Sequence, residues 1–599
     1  MPDRVANRLI QLVTDSAQRE ILVAGLLAFA LFFVGTAATP ILGRDEGRFS
    51  QASREMLDRG DLIVPTFVGE GRYHKPILIY WCTMASYAVF GVNERAARLP
   101  ANIAGAMAVM LLAWSSRRRF GAGAGLLAGL LLAVTLVFHV EARGCTADMV
   151  LFVPTLAVML AFERILAADD GWGAPFVFWT AMGVAILAKG PIAPMWVLLT
   201  GIGLWALARR WRVWHAAGMV ALFGLGLWFL GPAALVPPAL IAGWDLVRAT
   251  DGRSVLRRFR FGWGLPLLLA ITLPWAVAAT VATGGAFLRE AIGEHVLSRS
   301  FSAFESHGFF PGFYVVTAVI VAFPWFAWIF DGLRRGGRVL AGSELRFLAA
   351  WLLGPLVLLE LVQTKLVHYW MPSYPAGILL VVGWAVAGDR IESSGRGLMR
   401  ALLLLGGLAV AAAPVGLALH LDVPSLTIPA LAAAIVLVGG VGAALVCDGG
   451  GRRVGALVWV ISGTAGFLVL LFGMYLPRLG AESIGPRSGR RASELLRPGE
   501  TVVVFKPRDD EIFFYLPLGS EACGGAGCMD RRFEVGSDIL ALARVEDFDQ
   551  LVTEWPGVVF DEAERVGGID LGHVQRDEVV LFRIYREIPA DIDRHRPPS

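Results

Sequence analysis

Four stretches of this sequence gather residues able to move protons or hold an anion, and each lies between long apolar runs. The first, RDEGRFSQASREMLDRGDLIVPTFVGEGRYHKPILIYW from Arg44 to Trp81, opens with Asp45 and Glu46 directly after an apolar run. A carboxylate at such a border is costly to desolvate unless it is paired, metal-bound or put to chemical use. Helix capping is the competing reading, because Phe49, Ala52, Met56 and Leu57 mark an apolar helical face and acids suit a helix N-terminus. The stretch closes with Tyr73, His74, Lys75 and Pro76. The second, EARGCTADM, brings Glu141, Arg143 and Asp148 together, either as a local ion pair or as part of a site. The third, REAIGEHVLSRSFSAFESHG, holds Glu290, Glu294, His295, Arg299, Glu305 and His307. His74 and His295, with nearby carboxylates, are the ligand types a divalent ion takes, although no HExxH or CxxC spacing backs a metal. The fourth, QTKLVHYWMPSYP, adds Lys365, His368, Tyr369 and Tyr374, all hydrogen-bond donors suited to an oxyanion.

Lysine usage sharpens this reading. The chain has 53 basic residues, but Lys occurs only at 75, 189, 365 and 506. The first three stand at borders of apolar runs, in HKP, AKG and TKL. Arg serves elsewhere as the solvated cation, so Lys at these borders points to a compact charge suited to a phosphate head group, with snorkelling as the bland alternative.

The elements that must position these residues are membrane helices. Of 599 residues, 56% are hydrophobic and 17% charged, against about 25% charged in soluble domains. Runs of about 20 apolar residues predict a polytopic all-α bundle of about 13 to 15 spans over residues 21–476. Arg clusters at 117–119, 209–212, 334–338, 390–400 and 452–453 fall on alternate connections. By the positive-inside rule these face the cytoplasm, along with residues 1–20. The opposite face then carries the first loop (42–95), 141–148, the short link at Lys189, 284–310, 363–371 and everything after 477. The first span reads as a retained anchor, since no small-residue cleavage site follows it. Residues 77–91, with Tyr73, Tyr80 and Tyr87 at seven-residue spacing, predict an interfacial helix with an aromatic edge.

From 477 to 599 the pattern changes to short runs such as TVVVF (501–505) and VVLFRIY (579–585), which predict a small soluble α/β domain outside the membrane. Cys523 and Cys528 are either a disulfide or two free thiols, and Cys82, Cys145 and Cys447 read as packing residues. A net charge of +3 is too balanced for a nucleic-acid binder. No Gly-rich nucleotide loop is present, so no nucleotide cofactor is expected.

The series RDEGRFSQASREMLDRGDLIVPTFVGEGRYHKPILIYW, RLPANIAG, ARGCTADM, LAKGPIAP, EHVLSRSF and KLVHYWMPSYP, over residues 20 to 380, resembles the aminoarabinose lipid A transferases and related protein O-mannosyltransferase-like enzymes. The resemblance implies a GT-C membrane fold in the bacterial cytoplasmic membrane. It implies a polyprenyl-phosphate-linked sugar donor, and a lipid, glycan or protein acceptor met on the outer face. Carried over by motif, Asp45 matches the essential acid after the first span and Asp148 an acid of the second loop. Lys75, Arg299 and Tyr369 match residues around the donor phosphate, and His295 matches a metal-binding His. Glu46 is expected beside Asp45 in catalysis, and Tyr73 and Lys365 are expected beside Lys75. The sequence departs from the aminoarabinose enzymes in placing His74 where they tend to carry Glu. Two alternatives remain: a protein O-mannosyltransferase acting on Ser or Thr, and, from another class, a lipid-linked-sugar flippase or transporter.

Overall fold

The computed structural model describes residues 13–167, 171–208, 252–292, 312–335, 340–362, 364–387, 396–524, 539–555 and 558–586. Helix α1 (Ala17–Phe33) leads into α2 (Arg44–Arg59), a hairpin of β1 (Thr66–Phe67) and β2 (Glu70–Gly71), and α3 (Leu78–Phe90). The bundle continues through α4 (Glu94–Phe120), α5 (Ala124–Ala133), α6 (Ala147–Leu166), α7 (Gly173–Lys189), α8 (Ile192–Ala208) and α9 (Phe261–Ala282). After these come α10 (Gly342–Leu361), α11 (Tyr374–Val386), α12 (Arg396–His420), α13 (Pro424–Gly449) and α14 (Arg453–Leu470).

Six described helices are long and apolar enough to cross a membrane, and a seventh span is counted if Phe313–Val321 and Trp325–Arg334, bent by 118°, form one. Five further apolar helices, α3, α5, α7, α8 and the Met371–Val386 segment, run only 10–17 residues. The expected 13 to 15 full-length spans are therefore not matched by helices of full spanning length among the described residues. Turns divide the apolar runs: Gly190, at φ +67°, separates α7 from α8, and the Phe323–Pro324 step separates the bent pair. The additional pair expected over 215–246 lies outside the described residues.

Helix α2 forms for local reasons. Phe49, Ala52 and Met56 bury one face, Asp45 and Glu46 occupy the first turn, and Gly60 ends it in the left-handed conformation at φ +64°. Asn93 caps α4 by accepting the Ala96 N–H at 2.9 Å, and Arg117, Arg118 and Arg119 fill its last turn. Helix α3 matches the expected short helix, but its aromatic edge faces inward. Tyr80 and Tyr87 are buried, and the Tyr87 hydroxyl donates to the Ser50 carbonyl of α2 at 3.3 Å. Burial against α2 satisfies these rings better than an interface would.

The C-terminal part is a five-stranded sheet of order β4-β3-β5-β7-β6. Its strands are β3 (Val502–Phe505), β4 (Glu521–Cys523), β5 (Ile539–Arg544), β6 (Val558–Asp570) and β7 (Gln575–Arg586). Strand β3 pairs in parallel with β4 and β5, and β7 pairs antiparallel with β5 and β6. Side chains alternate in period two: Val502 and Val504 pack toward α15 (Ile484–Leu495), while Val503 and Phe505 pack toward α16 (Val545–Glu554). Cys523 is disulfide-bonded, its partner lying outside the described residues, and Cys82, Cys145 and Cys447 are free thiols.

Candidate active site

The turn between α1 and α2 is held by two buried guanidinium groups: Arg143 donates to the Phe32 and Val34 carbonyls where α1 ends, and Arg98 holds the rest. Arg98 of α4 donates to both carboxylate oxygens of Glu46 at 2.8 Å. It also donates to the carbonyls of Thr36 (2.8 Å), Thr39 (2.5 Å) and Pro40 (2.7 Å). Glu46 accepts further N–H bonds from Leu42 (3.0 Å) and Cys145 (3.2 Å). With both oxygens engaged, Glu46 anchors the turn beside Asp45. Asp45 stands exposed on the first turn of α2 and makes no hydrogen bond or ion pair among the described residues.

Asp45 lines a chamber of about 320 Å³ with Arg98, Glu141, Arg143, Asp148 and His368. A second cavity of about 450 Å³ lies on the other side of Asp148 and His368, which line both. The first-loop residues Tyr73, His74 and Lys75 reach this second cavity, as do Lys189 and Tyr369. Apart from Thr272, the rest of its lining is apolar, including Leu151, Met195, Trp196 and Trp275. The indole N–H of Trp275 donates to the Ile63 carbonyl at 3.0 Å, tying α9 to the first loop.

The shared wall is a charge network. Lys189 donates to Asp148 at 2.5 Å, and its ammonium sits 5.5 Å from the centre of the Tyr369 ring. His368 lies between two acids, with Nδ1 3.5 Å from Glu141 and Nε2 3.6 Å from Asp148. Thr146 donates to Glu141 at 2.8 Å. Lys75 lies within electrostatic reach of Asp148. Two ammonium groups (Lys75 and Lys189), one imidazole (His368) and two acids (Glu141 and Asp148) thus meet where an oily cavity adjoins a polar one. Such an arrangement suits a ligand with an anionic head and an apolar body and leaves the Asp45 side open to a second reactant.

The chain is similar to three groups of known proteins. Residues 74–214 match the family model of dolichyl-phosphate-mannose-protein mannosyltransferases. The undecaprenyl phosphate-α-4-amino-4-deoxy-L-arabinose arabinosyl transferase of Pseudomonas aeruginosa (strain UCBPP-PA14) is 27% identical over 403 residues, 64% of each chain. Its counterpart in Edwardsiella ictaluri is 25% identical over 404 residues, 65% of this chain and 64% of that one. The matched segment thus spans just under two thirds of these relatives' length. The crystal structure of ArnT from Cupriavidus metallidurans bound to undecaprenyl phosphate superposes with a TM-score of 0.70 at 21% identity, covering 94% of this chain and 98% of that one. The chain has the fold of that ArnT structure.

Within that ArnT-like fold, Asp45, Asp148, Lys75, Tyr73 and Tyr369 converge on the two joined cavities. Lys365 does not. It is buried, and its ammonium donates to the Val362 carbonyl at the end of α10, so it caps a helix instead of lining the cavity. Arg299 and His295 lie outside the described residues. His74 pairs with Glu290 at 3.2 Å. Among the described residues no set of three or more His, Cys, Asp or Glu side chains is placed to hold a metal ion. The loops had supplied Glu141, Lys189 and His368, but only as scattered charges. Their convergence was invisible because α6, α7 and the 364–371 segment meet through tertiary packing alone.

Proposed function

We propose that this chain is an integral membrane glycosyltransferase. It moves a sugar from a polyprenyl phosphate carrier to a lipid, glycan or protein acceptor at the outer face of the bacterial cytoplasmic membrane. The observation carrying this reading is the pair of cavities joined at Asp148 and His368, with Lys75 on the oily side and Asp45 on the polar side. The prenyl chain occupies the apolar walls, and Lys75, with the Tyr73 and Tyr369 hydroxyls, binds the phosphate. The acceptor oxygen attacks the anomeric carbon from the Asp45 chamber, opposite the phosphate, so the configuration inverts. The carbon–oxygen bond to phosphate breaks as the new one forms. The phosphate leaves with the electron pair, stabilised by the Lys75 ammonium, and Asp45 takes the acceptor's proton. Lys189 is committed to Asp148 through their 2.5 Å contact and neutralises that acid's charge beside the reacting centre.

A polyprenyl-phosphate sugar donor with purified protein tests this. Asp45→Asn and Lys75→Ala are expected to lower transfer by about 10²-fold or more. Transfer at the wild-type rate in either variant would remove the assignment. Mass spectrometry of lipid, polysaccharide and protein fractions, with and without the chain, identifies the acceptor. The match to the mannosyltransferase family model favours a second reading, in which the acceptor is a Ser or Thr hydroxyl of a protein.

A further inference from the structure

A third cavity, of about 610 Å³, opens at the far end of the bundle between the ends of α4, α6, α8 and α10. Helix α4 runs from Arg98 in the candidate site to Arg118 at this cavity, 20 residues at ~1.5 Å each, or about 30 Å, the thickness of a bilayer's hydrocarbon core. Helix α6 likewise begins beside Asp148 and ends here at Arg164. Four guanidinium groups, Arg118, Arg119, Arg164 and Arg346, line the opening, against Glu163 and Glu344.

Both acids are already engaged. Glu163 accepts from Arg119, and Glu344 accepts the Ala341 N–H at 3.1 Å, capping α10. Arg118 and Arg346 form no ion pair among the described residues. Arg118 stacks on Trp114 at 5.3 Å, and Arg346 uses Nε on the Gly342 carbonyl at 3.0 Å. The Arg119 Nε is buried without an acceptor. Positive-inside statistics account for arginines at this end, but not for their lining one cavity together with Leu160, Leu204 and Phe347. Guanidinium groups and apolar side chains on one cavity wall match a phosphate joined to acyl chains.

We propose that this cavity binds the phosphate of an anionic lipid from the leaflet opposite the candidate active site. The test uses the full chain in phosphatidylcholine vesicles doped with a photoactivatable phosphatidylglycerol. Label is expected on the peptides carrying Trp114–Arg119 and Ser343–Phe347, and excess unlabelled phosphatidylglycerol should compete it away. Removing two charge-assisted contacts in Arg118→Gln/Arg346→Gln is expected to cut the label about tenfold or more. Label unchanged in that variant, or confined to other peptides, would overturn the proposal. Equal competition by inorganic phosphate would overturn its assignment to a lipid. Arg164→Gln serves as a second variant should the double substitution fail to fold, with the same loss of label expected.

Discussion

At the residue scale, the shared wall depends on charges that neutralise one another out of water. Asp148 and Lys189 have only 17% and 12% of their side chains exposed, so removing either leaves the other stranded. Asp148→Asn and Lys189→Met are each expected to lower the unfolding free energy by about 3–5 kcal/mol. The double substitution should cost clearly less than the sum, which thermal or denaturant unfolding of the four proteins in detergent would read as a coupling energy. Additive losses would show that the 2.5 Å contact contributes no coupling. His368 has a different role, because it touches both acids without being the sole partner of either. His368→Gln should retain most of the stability while slowing transfer, and the comparison of melting temperature with transfer rate separates the two effects. Sequence reading reached Asp148 and Tyr369 through motif order and Lys189 through the scarcity of lysine. It missed the central place of His368, since a lone imidazole in HYW carries no spacing signal.

At the element scale, α2 is the part that presents Asp45, and beyond its packing on α3 and the hairpin two contacts from farther along the chain hold it. Arg98 fixes its N-terminal turn from α4, and residues 509–516 of the C-terminal part clamp its outer side. There Arg48 pairs with Asp510 at 2.6 Å, Arg54 donates to the Phe514 and Leu516 carbonyls, and the Tyr515 hydroxyl accepts the Ile41 N–H at 2.7 Å. Arg98→Ala is expected to destabilise the protein by about 3–5 kcal/mol by leaving Glu46 buried and unpaired. Lys at 98 should not rescue it, because an ammonium lacks the fork that reaches Glu46 and three carbonyls together. The clamp also titrates. Burial against Gly47, with Asp509 nearby, pushes the Glu511 carboxyl up to about 7. From the usual carboxylate range to about pH 7, the folded chain keeps a proton that the unfolded chain has released. Stability from this group therefore falls as pH rises, by at most about 1.4 kcal/mol per unit. Melting temperatures from pH 5 to 8 should show that slope in the wild type and a flatter one in Glu511→Gln. Helix α2 was legible from its apolar face and terminal acids, and the β3 and β7 runs from alternation. The clamp was not, because Asp510 and Arg48 are hundreds of residues apart and neither segment is unusual alone. Strands β4 and β5 were also missed, since EAC is too short for a periodicity and ILALAR reads equally as helix.

At the scale of the whole molecule, the two ends of the bundle differ in chemistry, and in the proposed function that difference sets which face meets the acceptor. Acids, tyrosines and three of the four lysines gather where α4 and α6 begin, while arginines crowd where they end. A chain inserted with the arginines in the cytoplasm puts Asp45 outside, where a carrier already carried across the membrane delivers its sugar without a nucleotide. The opposite orientation would face Asp45 toward soluble nucleotide sugars and leave the oily cavity without a purpose. Single cysteines at exposed positions on each side decide between them: Asp58→Cys on α2 and Ala122→Cys after α4. A membrane-impermeant maleimide applied to intact cells with a permeabilised outer envelope should label the first and spare the second, and lysed cells should label both. Labelling of Ala122→Cys alone in intact cells would invert the topology. The acceptor chamber, the C-terminal clamp and the far-end lipid cavity would then exchange compartments, and sugar transfer at the outer face would be untenable.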